Sequence, residues 1–436
     1  MTFLRRRTAR SPTRLAMFHS FARPSRRFVL ITLSLLLPLL IEAFLHWRKF
    51  DIPKPLEDID PPFYTGCQEP DVQAQAQPRE NAALVMLAQN SEIDAARRTV
   101  QSVEDRFNRW YHYPYVFLND QPWDPEFVRL MNATVSGEAR FEVIPHSEWT
   151  YPEWMDQDAA RQSILKQGEQ GIHYGGREGY HHMCRFFSGK FYTLEALRPY
   201  KWYWRLEPDV DFSCSVTYDP FVEMARHKKV YGWTISLWEE PNTCPSLFRH
   251  MSDFKENHHI ATTKLWTAMM QASWLPYPFR RWLGYLPLHD RYGDVWSLCH
   301  YWSNFEIADL DFFRGKEYQE LFNFLDEKGG FYDERWGDAA VHSLAVGMLL
   351  EPERVHHFSD FAYRHDSFQQ CPANAPGLQL QGSIALGDAL FSDEKDGGVG
   401  CRCSCDSSKT INFPGYCMNK LRQPTRPDRP WLTWFL

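Results

Sequence analysis

Trp202-Tyr203-Trp204-Arg205-Leu206-Glu207-Pro208-Asp209 is the stretch on which the reading of this sequence turns. Its first five residues are an apolar, aromatic run of strand type that stops on two carboxylates one residue apart. Carboxylates on the turn that leaves a strand can share a divalent metal ion, and Asp211 adds a third acid close by. Asp and Pro also favour ordinary turns, so the spacing alone leaves a plain acidic turn open.

Outward from this stretch the chain alternates strand and helix patterns. Ala82 to Ala88 is a short apolar run of the kind that forms a buried parallel strand. Asn90-Ser91-Glu92 reads as a turn and helix cap, and Ile93 to Phe107 as an amphipathic helix. Tyr115 to Asp120, Phe141 to Pro145 and Val230 to Ile235 are further strands, while Tyr180 to Leu197 and Ala339 to Leu350 are helices. This order predicts an α/β fold with a mixed, mostly parallel sheet that binds a nucleotide at the carboxyl ends of its strands.

A net charge of -7 over 436 residues argues against nucleic acid as a partner. The one dense basic run, from Arg5 to Arg27, leads directly into an apolar segment that reaches Leu45, interrupted by Glu42. About 17–25 apolar residues cross a bilayer, and acidic residues follow this segment, so the positive-inside rule places the N-terminus in the cytosol and the body in a lumen. A cleaved signal peptide is the competing reading, but its basic region is too long and no small-x-small site follows Ile41. The expected organisation is a cytoplasmic tail (1–27), a transmembrane anchor (28–45), and a stem rich in Pro, Asp, Glu and Gln that holds the body off the bilayer (46–80). A catalytic body (81–436) follows, with an aromatic excursion at 255–292 and a Cys-rich tail at 395–420. Cys401, Cys403, Cys405 and Cys417 fit disulfides of an oxidising compartment, because Cys-x-Cys-x-Cys is a poor zinc pattern. The sequon Asn132-Ala133-Thr134 agrees with such a compartment.

Three further positions could carry chemistry. Glu306, in Trp302-Ser303-Asn304-Phe305-Glu306-Ile307, is an acid framed by aromatics, suited to a nucleophile or cation stabiliser at an anomeric carbon; an acidic helix start is the plainer reading. Asp338, closing Glu334-Arg335-Trp336-Gly337-Asp338, can cap the helix that follows or reach substrate hydroxyls. His365 can join carboxylates around a metal such as Mn(II), or be structural.

Taken together, these motifs resemble the fungal Golgi α-1,2-mannosyltransferases of glycosyltransferase family fifteen. The resemblance rests on Ser102 to Asn108, Tyr180 to Phe186, Tyr203 to Asp209, Trp302 to Ile307, Glu334 to Asp338 and the tail Cys401-Arg402-Cys403-Ser404-Cys405, in order, from about residue 80 to about 420. It implies a GT-A-type domain, GDP-mannose as donor, Mn(II) as cofactor, a mannose-terminated glycoprotein glycan as acceptor, retention of configuration, and a single-pass type II place in the Golgi membrane. By the same resemblance Glu207 and His365 hold the metal, and Asp209, Arg205 and Asn90 serve the nucleotide. Glu306 is the nucleophile or ion-pair stabiliser, and Tyr180 lies beside the donor sugar. Disulfides join some of Cys214, Cys244, Cys371 and the tail cysteines. Three departures stand out: Ala88-Gln89-Asn90 where the family reads Ala-Arg-Asn, the loosened Cys244-Pro245-Ser246-Leu247-Phe248, and the excursion at 255–292, near where an acceptor would approach. Two other classes remain as alternatives. One is a membrane-anchored glycan-binding scaffold that has lost transfer; the other is a glycoside hydrolase, against which the metal-ready turn argues.

Overall fold

The computed structural model describes residues 25–63, 78–372, 400–405 and 415–427. The basic run before Ser25, the alternating Gln73, Gln75 and Gln77, and the greater part of the 395–420 tail lie outside the described residues.

A seven-stranded sheet forms the centre. Its strands are β1 (Ala82–Leu87), β2 (Tyr115–Asn119), β3 (Ala139–Val143), β4 (Trp202–Leu206), β5 (Tyr231–Trp233), β6 (Glu306–Asp309) and β7 (Val355–His357), in the order β7-β5-β6-β4-β1-β2-β3. β1, β2, β3 and β4 pair in parallel, as do β5 and β7, while β6 runs antiparallel to both of its neighbours. The sheet is therefore mixed and mostly parallel, as expected. Successive residues of β1 face opposite sides, Ala83 and Val85 into one core and Leu84 and Met86 into the other. Helices cover both faces, which is why these strands read as unbroken apolar runs. The helices Glu178–Gly189 and Asp338–Leu349 share the first core, and Ile93–Val103, Pro125–Thr134 and Pro220–Arg226 the second.

The direction of β6 decides where its first residue lies. Because β6 is antiparallel, its start meets the carboxyl end of β4, with Glu306 opposite Arg205. The carboxyl edge is where open α/β sheets bind ligands.

Several expectations are corrected. The helix expected over Tyr180 to Leu197 ends at Gly189, followed by two short 3-10 turns, Phe191–Thr193 and Glu195–Leu197. At Gly189 the helix approaches the Phe322 ring so closely that a Cβ would stand 2.1 Å from it, and the turns beyond fold Phe191, Tyr192 and Leu197 into the core. The described part of the stem does not stand free. Ile52 and Asp60 are buried, Asp60 bonds His356 Nδ1 at 2.6 Å and Lys229 Nζ at 2.8 Å, and Phe63 stacks on His356. The 255–292 excursion contacts the end of the N-terminal helix (Arg26–Arg48): Glu42 accepts the Tyr277 N–H at 2.7 Å and pairs with Arg280 at 2.7 Å, and His46 Nε2 meets Asp294 at 2.7 Å. That helix is long and apolar enough to cross a membrane.

Disulfides join Cys214 to Cys403, Cys299 to Cys417 and Cys371 to Cys405. Of the candidates for bridging, Cys244 is a buried free thiol, as is Cys184. Cys299–Cys417 fastens the helix Gly415–Arg422 to the short strand Cys299–Tyr301. Replacing both cysteines by serine is expected to lower unfolding stability by about 2–5 kcal/mol, read from a denaturant titration under non-reducing conditions.

Candidate active site

The Glu207-Pro208-Asp209 turn is held from behind by one helix. Thr99, fully buried on Ile93–Val103, donates its hydroxyl to the Glu207 carbonyl at 3.0 Å and accepts the Val210 N–H at 3.1 Å. One residue earlier, Arg98 meets the Asp209 carboxylate at 2.5 Å in an exposed pair. Asp209 itself takes a left-handed backbone (φ 66), which aspartate tolerates better than most residues. The chain leaves this turn in a small three-stranded sheet, where Val210–Phe212 pairs with Tyr363–His365 and His365 lies opposite Val210. Strand register thus brings the histidine beside the acidic turn.

Arg205 is the centre of the site. Its guanidinium is buried, donates to Glu207 Oε1 at 2.6 Å and to Asp338 Oδ2 at 2.5 Å, and approaches Glu306 Oε1 at 3.9 Å. The face of Phe187 lies 3.6 Å away. Asp338 also accepts the Ser303 hydroxyl at 2.8 Å. Burial pushes the Asp338 carboxyl up, but Arg205 outweighs it and holds the group below the usual carboxylate range. The capping alternative for Asp338 is ruled out: the helix Asp338–Leu349 has Gly337 at its N-cap and no side-chain cap bond.

Glu306 is fully enclosed, on a strand rather than at a helix start. One carboxylate oxygen accepts the Tyr203 hydroxyl and the other meets His342 Nδ1 at 2.8 Å. His342 Nε2 faces the Phe187 carbonyl at 2.9 Å, which can only accept, so that nitrogen carries hydrogen. Burial lowers the His342 pKa, yet Glu306 more than reverses this and the net shift is upward. Three acids, Glu207, Glu306 and Asp338, therefore gather around a single guanidinium, Arg205, with His342 against Glu306. The acids outnumber the fixed cation, and Glu207 is the member that reaches solvent.

The remaining expected residues divide. Tyr180 joins the site, with the Arg335 guanidinium 5.5 Å from its ring centre and a hydroxyl kept neutral chiefly by burial. Asn90 follows the carboxyl end of β1 and clamps the next loop: its amide donates to the Pro122 carbonyl at 2.9 Å and accepts the Asp124 N–H at 3.0 Å. His342, Tyr203, Ser303 and Arg335 also belong to the site, with no role legible in the sequence. His342 stands one helical turn after Asp338 and so shares its face, which is the periodicity that could have found it. Arg335 is fixed by Glu239 at 3.0 Å.

The residues present fit a hard divalent ion. Among the described residues no three His, Cys, Asp or Glu side chains converge as a closed metal cage. An open set of Glu207 and His365 would leave positions for diphosphate oxygens and water, a donor set of the type that suits Mn(II). The His365 ring stacks on Trp302 with centroids 5.1 Å apart, and its Nδ1 touches the Asn304 amide. Asn304 Oδ1 is buried with no partner. Turning the amide over gives that oxygen the Nδ1–H of His365 and leaves Nε2 free to bind metal, the usual arrangement around a ligating imidazole. Asn304→Ala is expected to weaken Mn(II) binding about 10–100-fold, read by calorimetry in the presence of GDP.

A mixed α/β sheet with an acidic strand-end turn, a neighbouring histidine and a buried acid–guanidinium network at its carboxyl edge defines a GT-A-type glycosyltransferase. The family described as glycolipid 2-alpha-mannosyltransferase matches residues 63–379. O-glycoside alpha-1,2-mannosyltransferase homolog 4 of Schizosaccharomyces pombe is 39% identical over 372 residues, covering 80% of this chain and 84% of that one. Alpha-1,2 mannosyltransferase KTR1 of Saccharomyces cerevisiae is 37% identical over 354 residues, 81% of each. Among solved structures, core-mannan synthase A of Aspergillus fumigatus in its Mn/GDP form superposes with a TM-score of 0.62 at 34% identity, over 77% of this chain and 88% of that one. The mannosyltransferase Ktr4p of S. cerevisiae in complex with GDP gives 0.63 at 28% identity, over 83% and 92%. The chain belongs to this glycolipid 2-alpha-mannosyltransferase family and is a mannosyltransferase.

Proposed function

We propose that this protein transfers mannose from GDP-mannose to a mannose-terminated glycoprotein glycan, forming an α-1,2 linkage with retained configuration. The observation that carries the reading is the excess of acids over the fixed cation at the carboxyl edge, where Glu207, Glu306 and Asp338 surround Arg205. A site so built suits a divalent ion on the diphosphate side and a cationic anomeric carbon on the sugar side. Family members of known structure bind GDP, one of them with manganese, which supports the same donor and metal here.

Glu207 and His365 would hold the ion, which would supply positive charge against the negative charge that builds on the departing diphosphate. Arg205 fixes the Glu207 carboxylate, and Asn304 fixes the His365 ring. Glu306 offers a stationary negative charge behind the sugar. Both of its oxygens are engaged and it is enclosed, which favours stabilisation of a short-lived cationic sugar over free attack on it. Tyr180, neutral and half-buried, lies beside the donor sugar. The N-terminal helix serves as a single-pass anchor, and the disulfides agree with a Golgi lumen for the body.

Linkage analysis of products formed from GDP-mannose on a panel of methyl α-mannoside, a mannosylated peptide and an N-glycan tests this reading. An α-1,2-linked mannose on one or more of these is expected. Products confined to free mannose, or with β configuration, contradict it.

A further inference from the structure

The 255–292 excursion carries a surface that contains none of the residues of the site described above. Among the described residues, half of the exposed large hydrophobic side chains outside the N-terminal helix fall between Trp274 and Tyr292. Trp274, Trp282 and Tyr285 are 81%, 67% and 86% exposed, and Tyr277 and Phe279 stand beside them. Residues 274–289 include Arg280, Arg281 and His289 and no acid. Tryptophan and tyrosine with scattered arginines are the side chains that settle at a lipid–water boundary, where ring bodies enter the acyl region and polar ends stay in water.

The position of this surface is fixed. Apolar residues run along the N-terminal helix to Ile41, and the helix is almost wholly uncovered by protein. Its first acid, Glu42, is where such a helix reaches the headgroups, and Glu42 is the residue that binds the excursion, through the Tyr277 N–H and Arg280. One turn further on, His46 binds Asp294, which also accepts the Ser273 N–H at 3.1 Å. The excursion is a built platform rather than a loose loop. Asp290 accepts the N–H groups of Tyr292 and Asp294 at 2.9 Å, and at Gly293 (φ 87) the chain passes so close to the Arg280 carbonyl that no Cβ fits.

We infer that the aromatic platform of the 255–292 excursion lies on the bilayer leaflet from which the N-terminal helix emerges, at the level set by the Glu42–Arg280 and His46–Asp294 pairs, and holds the catalytic body against the membrane surface. The inference rests on the reading of that helix as an anchor. The platform is a second, interfacial contact continuous with the first. Together with the docked residues 52–63 it gives the body one orientation to the membrane, where a free stem would allow many.

Photo-crosslinking in the full chain separates the two claims. The chain is reconstituted in phosphatidylcholine vesicles with p-benzoyl-phenylalanine in place of Leu36, Trp282, Tyr285 or, as control, Trp154, an exposed tryptophan outside the platform. Each replaced side chain is exposed, so the fold is not burdened, and mannosyl transfer serves to confirm it. Lipid adducts are expected at 36, 282 and 285 and not at 154. Adducts at 36 with none at 282 or 285, or crosslinks there to a second copy of the chain, overturn the platform and leave the anchor standing. No lipid adduct at 36 overturns the anchor, and the platform with it.

Discussion

Glu306→Gln is expected to lower kcat by about 10²–10³, the usual cost of removing one fixed group that meets charge in the transition state. The substitution keeps the shape and both hydrogen bonds. A glutamine carbonyl can accept the Tyr203 hydroxyl, and its amide can donate to Nδ1 of a neutral His342 that keeps its hydrogen on Nε2. The carboxylate charge is lost and no buried cation is left without a partner. Folding and GDP binding should be nearly unchanged, so KM for GDP-mannose moves little while turnover collapses. Steady-state kinetics on the purified variant decides it: an unchanged kcat removes Glu306 from the mechanism.

Arg205→Met acts on stability as well as activity. Arg205 is the cation directly bonded to two of the three carboxylates, and those on Glu306 and Asp338 are buried. Breaking a buried pair by removing one partner costs about 3–5 kcal/mol, because the remaining charge has no compensation. The variant is therefore expected to unfold at markedly lower denaturant concentration, and to bind GDP and Mn(II) poorly even where folded. A partial recovery in Arg205→Lys, which restores charge without the two-armed reach of the guanidinium, is the companion result. Wild-type stability in Arg205→Met would show that the carboxylates hold protons instead.

Much of this was legible in the chain. β1, β2 and β4 appear as apolar runs because helices bury both of their faces, and the acidic turn after β4 marks the end of a strand whatever its chemistry. What could not be read was the direction of β6. Glu306-Ile307-Ala308-Asp309 is four residues long and leads directly into a helix capped by Asp309, so local pattern favoured an acidic helix start. Only long-range pairing with β4 places Glu306 opposite Arg205. Asp338 stood out as a candidate, but its partner was hidden for a similar reason: it is 133 residues away, and nothing nearby in sequence announces a buried guanidinium. The excursion is the reverse case, since its aromatic content was plain while its attachment to Glu42 and His46 belongs to tertiary structure alone. Cys244 shows a limit of counting cysteines, because one of the candidates for bridging is buried and unbridged.

The central claim is that Glu207, beside His365 and on Arg205, is the metal-binding acid of a GDP-mannose-dependent transferase. The most direct measurement is mannosyl transfer from GDP-mannose to methyl α-mannoside, with and without Mn(II), by the wild-type chain and by Glu207→Ala in parallel. An α-1,2-linked disaccharide is expected from the wild type only when Mn(II) is present, and none above background from Glu207→Ala under either condition. Wild-type turnover that ignores the metal, or a Glu207→Ala variant that keeps its rate, would contradict the claim.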